Sequence, residues 1–380
     1  MRFEPYPFEK LTTLLQDITP DGSYNPITLT IGEPQFETPE FIQEILKESA
    51  PLLKKYPKTA GEEYLKAAMR DFVGKRFGVV LDDAQIIPTF GTREVLFNFP
   101  QYLLFDKEAP VMAFTNPFYQ IYEGAAIASR AKMLFMNLEA ASGYKPQIDE
   151  AALAGCDLVI LNFPNNPTAS CLDIDELGRW VELALKHDFV LLNDECYSEI
   201  YTDKPVPSLL EAAKHVGNHD FKNVLVINSI SKRSSAPGLR SGFIAGDAAI
   251  LEGYLQYRTY IGCASPLPLQ AAAAVAWKDE AHVAAARKVY KRNFELAEEI
   301  LGVTTPEATF YIWLKVGDAL AFTRDLYERY NVKVLPGEFL ARDDANGENP
   351  GEGYVRIALV ESEEKTKEAL ERIKSLMAGA

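Results

Sequence analysis

Cysteine and histidine are scarce in this chain, four of each among 380 residues. Cys156, Cys171, Cys196 and Cys263 show no CxxC spacing, so neither a disulfide framework nor a cysteine zinc site is indicated. They read as reduced thiols of a cytoplasmic protein. His187, His215, His219 and His282 do not cluster with carboxylates or cysteines in the sequence. A zinc centre or a Ser/His triad therefore has little to be built from, and a proton carrier is expected to be a lysine. Positive charge is also short: 39 Lys and Arg against 54 Asp and Glu leave a net charge of −15. That balance argues against a nucleic-acid partner, because phosphate backbones select basic surfaces. No apolar run reaches the ~18 residues that would read as a membrane span. Met1-Arg2-Phe3-Glu4-Pro5 lacks the basic-then-apolar pattern of a secretory leader.

What is present is a globular composition, 47% hydrophobic and 24% charged, on a chain long enough for two domains. Between about residues 85 and 250, short apolar runs alternate with helical patterns. Val111–Phe114, Leu158–Leu161, Phe189–Leu192, Val224–Ile227 and Phe243–Ala245 are nearly continuous in apolar residues, which predicts strands covered on both faces of a mostly parallel sheet. Residues 173–187 carry Leu177, Trp180, Val181, Ala184 and Leu185 at helical spacing. The last third predicts a long helix over 280–301, strands at 310–314 and 354–360, a polar loop over 343–353 and a final helix from Glu363. The fold class is α/β: a large domain over 41–275, a smaller α+β domain over 276–380, and a segment 1–40 of extended or loop stretches packed on the smaller one.

Chemistry gathers at the predicted strand ends, where open α/β sheets bind ligands. After Val224–Ile227 comes Ser229-Ile-Ser-Lys232, with Arg240 beyond a Pro237-Gly238 turn. A lysine amine can condense with an aldehyde, and Ser229, Ser231 and Arg240 can hold a phosphate, which suits pyridoxal 5'-phosphate (PLP). Asp194 follows another strand in Asp-Glu-Cys-Tyr197 and can pair with a pyridine nitrogen, with Tyr197 at the cofactor's phenolate oxygen and Cys196 against one ring face. Asn166, in Asn-Phe-Pro-Asn-Asn-Pro-Thr168, can reach the same phenolate oxygen. Gly91-Thr92-Arg93 opens an apolar helix whose free N–H groups make a phosphate seat. Tyr119, in Asn116-Pro-Phe-Tyr, can stack on the other ring face. Each feature alone also has an ordinary reading as a cap, a turn or a core residue.

Together, Asn-Asn-Pro-Thr (165–168), Asp-Glu-x-Tyr (194–197), Ser-x-Ser-Lys (229–232) and Arg356 in Tyr-Val-Arg-Ile-Ala-Leu resemble the fold-type-I, class I/II PLP aminotransferases over essentially the whole chain. The resemblance implies that Arg356 clamps the substrate α-carboxylate and that the backbone at Gly32 approaches it. It also implies that Tyr56 reaches the cofactor phosphate from a neighbouring subunit of a homodimer. Asn116–Ala125, Ser231–Gly242, Tyr257–Tyr260 with Gly262-Cys-Ala264, and Asn349–Leu359 resemble the N-succinyldiaminopimelate aminotransferases of bacterial lysine biosynthesis most. Ile261 and Ser265-Pro266 depart from that pattern. Glutamate and 2-oxoglutarate are the implied cosubstrates. Acetylornithine, aspartate or aromatic substrates, or a lyase reaction on the same fold, stay open. A dicarboxylic substrate needs a second cation besides Arg356, with Arg93 and Arg258 as the candidates.

Overall fold

The computed structural model describes residues 3–344 and 346–379; Met1, Arg2 and Ala380, and Ala345 within the 343–353 loop, lie outside the described residues. Seven strands form the main sheet: β2 (Ile86–Thr89), β3 (Val111–Asn116), β4 (Lys132–Asn137), β5 (Leu158–Leu161), β6 (Val190–Asp194), β7 (Val224–Ser229) and β8 (Gly242–Gly246). Their order is β2-β8-β7-β6-β5-β3-β4. All pairings are parallel except those of β8, which runs against both β2 and β7.

The unbroken apolarity of the central strands follows from this position. Val159 and Leu161 join a core with Leu191, Val224 and Val226, whereas Leu158 and Ile160 join a second core with Val190, Leu192, Leu225 and Ile227. Successive side chains point to opposite faces, and both faces are dry. The helix Ile174–His187 covers one of them with Leu177, Trp180, Val181 and Ala184, while Leu185 turns out to be exposed. Its start is fixed by a capping box. Asp173 accepts from the Glu176 N–H at 2.8 Å, and the Glu176 carboxylate accepts from the Asp173 N–H at 2.8 Å.

The C-terminal part carries β9 (Tyr311–Lys315), β11 (Leu335–Pro336) and β12 (Tyr354–Ala358), antiparallel in the order β11-β12-β9. Ile312, Leu314, Val355 and Ile357 pack there with Phe294 and Ala297 of the helix Ala281–Leu301 and with Leu370 and Ile373 of the helix Glu363–Ala378. The N-terminal residues join this part: β1 (Ile27–Thr28) pairs in parallel with β10 (Val332–Lys333).

Several elements are absent from the sequence-based expectation, the helix Ala319–Tyr330 among them, and two others are instructive. Residues expected to be extended contain the helix Pro7–Leu15, which buries Leu11 and Leu15 against Leu335 and Leu340. Its apolar residues Phe8, Leu11 and Leu15 recur at helical spacing, so the pattern for this helix is present in the sequence. β4 escaped notice because Lys-Met-Leu-Phe-Met-Asn contains no β-branched residue and lies at the sheet edge, partly exposed.

One buried cation ties the lysine-bearing turn to the rest of the molecule. Arg233 is 1% exposed and donates to the Ala276 carbonyl at 2.6 Å and the Asp279 carbonyl at 3.2 Å, while also pairing with Glu280. Its guanidinium lies over Phe72 and Trp277. Arg233→Met leaves these carbonyls without a donor, so we expect a loss of about 3 kcal/mol of unfolding free energy. Urea denaturation checks this, and a change below about 0.5 kcal/mol, the range of ordinary surface substitutions, would refute the anchoring role.

Candidate active site

A cavity of about 740 Å³ opens at the carboxyl ends of β5, β6 and β7 and extends between the main sheet and the β9–β12 region. Ser229 ends β7 and caps the one-turn helix Ile230–Arg233, accepting from the Ser231 N–H at 3.0 Å. The Ser229 hydroxyl donates to that of Ser231 at 2.8 Å. This turn aims Lys232 into the cavity, where its Nζ donates to the Gly32 carbonyl. Lys232 retains some surface on the cavity yet sits deep among protein atoms. Burial pushes its ammonium down to about 8, with Arg356 and Arg240 adding repulsion and Cys196 and Glu33 opposing.

Asp194 forms the floor at the end of β6. Its Oδ1 accepts from the Cys196 N–H at 3.2 Å, its Oδ2 from the Tyr122 hydroxyl at 3.0 Å, and its carbonyl from Asn162 Nδ2 at 2.9 Å. Burial raises its pKa despite these donors. A buried acid held in this way suits a cationic partner in the cavity. Cys196 lies beside it, with Sγ 3.3 Å from Thr92 Oγ1, and burial pushes the thiol well up, which makes it an apolar contact. Tyr197 is buried, with its hydroxyl 3.0 Å from that of Tyr311.

Asn166 and Arg356 meet directly. Arg356 Nη1 donates to Asn166 Oδ1 at 2.8 Å and Nη2 to the Thr30 carbonyl at 2.5 Å, with the guanidinium over the Tyr311 ring. Arg356 Nε is buried without a partner among the described residues. Gly91 precedes the helix Thr92–Leu103 at φ +74°, and a Cβ there would collide with the Arg240 guanidinium. The positive φ favours glycine here, and its lack of a side chain lets the Arg240 guanidinium lie against the backbone. Arg240 donates to the carbonyls of Pro237 at 2.9 Å and Phe90 at 3.5 Å and to no carboxylate among the described residues. Arg93 Nε donates to the Tyr119 hydroxyl at 2.9 Å across the cavity mouth.

All the site residues read from the sequence thus share this neighbourhood, Gly91 through its contact with Arg240, except Arg258 and Tyr56. Arg258 corrects an expectation. It is 1% exposed and paired with Glu94, its Nε 2.9 Å from Oε1 and its Nη2 3.0 Å from Oε2, so its guanidinium is consumed behind the cavity wall. No sequence pattern shows which carboxylate a lone arginine will meet. Tyr56 is fully exposed and lines no part of the cavity of its own chain. Tyr122 and Tyr311, both at the site, carried no role in the sequence reading. Tyr122 lies buried in the helix Ile121–Ala128, which begins after Tyr119, and Tyr311 arrives from β9; no local pattern in the sequence marks either.

Residues 24–373 match the family model described as aminotransferase class I and II. The chain belongs to that family. It is a PLP-dependent transaminase. It is 49% identical to the aminotransferase AspB of Helicobacter pylori, covering 100% of both chains with a TM-score of 0.97. It is 42% identical to an aminotransferase of Neisseria meningitidis, covering 99% of this chain and 98% of that one with a TM-score of 0.94. An LL-diaminopimelate aminotransferase of Natranaerobius thermophilus is 30% identical over 97% of this chain and 96% of its own length. The cavity fits the family's cofactor: an amine of lowered pKa, a buried acid and a guanidinium against a glycine cradle lie within it.

The lysine gives this transaminase a pH signature. Between about pH 8 and 10.5 the native chain has lost the Lys232 proton while the unfolded chain still binds it. Stability contributed at this position therefore rises with pH through that window. Urea midpoints of cofactor-free protein, compared with Lys232→Met from about pH 8 to about pH 10, should rise more steeply in the unmodified chain. A difference that is flat or falls with pH would contradict the burial cost assigned to the charge.

Proposed function

We propose that the enzyme transfers an amino group between N-succinyl-LL-2,6-diaminopimelate and 2-oxoglutarate, running in the biosynthetic direction with glutamate as donor. The observation that carries this reading is the charge of the cavity. Its lining holds four cations, Arg93, Lys232, Arg240 and Arg356, against only Asp194 and Glu94, and Glu94 is engaged by Arg258. A phosphate, an α-carboxylate and a distal carboxylate would use Arg240, Arg356 and Arg93 in turn. Resemblance of four sequence stretches to N-succinyldiaminopimelate aminotransferases, and a relative that acts on LL-diaminopimelate, support the same substrate class.

In this reading Gly91, Thr92, Ser229, Ser231 and Arg240 hold the cofactor phosphate. Asp194 pairs with the ring nitrogen, Tyr197 and Asn166 reach its phenolate oxygen, and Tyr119 and Cys196 bound its faces. Bound PLP supplies an electron sink for the charge left when the α-proton departs. Lys232 Nζ, with its ammonium pushed down to about 8, takes and returns that proton. Gly32 and Arg356 position the α-carboxylate. We place the enzyme in the cytoplasm as a homodimer in which Tyr56 completes the partner's phosphate site, with 41–275 as the cofactor-holding domain, 276–380 as the smaller one and 1–40 packed on it. The apolar part of the lining contributed by Phe8, Ile31, Phe97 and Leu340 favours one second reading, an aromatic amino donor.

Borohydride reduction of the holoenzyme followed by peptide mapping should label Lys232 alone, and a label on Lys204 or Lys222 would remove its assignment. The substrate is tested by kcat/KM for glutamate, the succinylated substrate, alanine and phenylalanine. Arg356→Lys keeps charge but loses the planar fork, so every donor should weaken by roughly 2–5 kcal/mol of transition-state binding. Arg93→Met should penalise glutamate and the succinylated substrate while sparing alanine. Phenylalanine as the best donor, untouched by Arg93→Met, would establish the aromatic reading instead.

A further inference from the structure

The ion pair that removes Arg258 from the substrate site has a place in the architecture of the phosphate end. Glu94 stands in the first turn of the helix Thr92–Leu103, whose preceding residue is Gly91. Its Oε2 accepts from the Phe90 N–H at 3.0 Å and its Oε1 from the Tyr254 hydroxyl at 3.2 Å, besides the two bonds from Arg258. The carboxylate therefore holds the residue before the glycine cradle. Arg258 Nη1 also donates to the Thr59 carbonyl at 3.1 Å, three residues along the chain from the exposed Tyr56. Both partners are buried, with 1% of the Arg258 side chain and 7% of the Glu94 side chain exposed.

A buried carboxylate one turn from a phosphate would repel it. Neutralised by a two-pronged guanidinium, the same carboxylate can fix the turn without spoiling the positive end of the helix. We propose that the Glu94–Arg258 pair is a positioning element that keeps the start of the Thr92–Leu103 helix receptive to the cofactor phosphate. This rests on the reading that Gly91, Thr92, Ser231 and Arg240 hold that phosphate.

The test compares equilibrium binding of PLP and of pyridoxal, which lacks the phosphate, to the full-length cofactor-free protein by fluorescence and absorbance. Arg258→Met should weaken PLP on the order of tenfold to a hundredfold while leaving pyridoxal within about threefold. Arg258→Lys restores the charge and should bring the PLP-to-pyridoxal ratio back to within a few-fold of the unmodified protein. Glu94→Gln removes the repelling charge and retains an acceptor for the Phe90 N–H, so its ratio should equal or exceed that of the unmodified chain. These two variants keep the test decisive where Arg258→Met does not fold. Equal weakening of both ligands in Arg258→Met, a ratio unchanged there, no recovery with Lys, or a Glu94→Gln ratio that falls would each overturn the proposal. Arg240→Met is the control. A normal ratio in that variant removes the phosphate reading itself, whereas a lowered ratio there with a normal one in Arg258→Met removes only the positioning role.

Discussion

Parallel pairing of β5, β6 and β7 is the constraint on which the site depends. Leu161 lies opposite Asn193, and Asp194 opposite Ile227, so the strand ends step outward in turn, β6 one residue past β5 and β7 two residues past β6, at the same edge of the sheet. Asn166, Asp194 and Lys232 leave these ends in neighbouring loops and turns, which brings residues far apart in sequence around one cavity. A slip of one residue would turn Asp194 to the other face and mix the two cores, exchanging the Leu158 and Val159 environments. The dry packing on both faces, which fixes register, is thus also what aligns the chemistry.

That constraint explains what was legible in the sequence. Strands buried on both faces announce themselves as apolar runs, and the polar residues just after them were the ones to read. Lys232, Asp194 and Asn166 were found in this way, and the helix Ile174–His187 through its apolar period. Arg356 needed the family resemblance, because an arginine inside β12 has no local pattern that marks it. The edge strand β4 is weakly marked because its burial is incomplete, whereas the helix Pro7–Leu15 has in Phe8, Leu11 and Leu15 an apolar face that the sequence does carry. Arg258 was misjudged because charge alone cannot distinguish a guanidinium that faces a ligand from one that neutralises a neighbour such as Glu94.

The electrostatics of the cavity follow from the same burial. Lys232 is held low and Asp194 high, each by removal from water, so each is set away from its solution state before any ligand enters. Cys196 and Tyr197 are shifted up by the same cause and stay protonated around them. The family's chemistry needs a lysine that can shed a proton and an acid that welcomes a cation, and burial provides both conditions at once.

The bond from Arg356 to Asn166 has a consequence for ligand affinity. A carboxylate that approaches Arg356 through the Nη1–H now given to Asn166 Oδ1 enters by exchange, and the amide oxygen gives up that partner as the anion arrives. Part of the favourable enthalpy of the new contact is offset by the old one, so the net gain for a minimal carboxylate is modest. Selectivity among amino donors then falls to whatever each side chain adds beyond that common exchange. Small carboxylate buffers should be weak competitors for the same reason, while a ligand that satisfies Arg356 and also provides Asn166 with a new partner recovers the full value of both contacts.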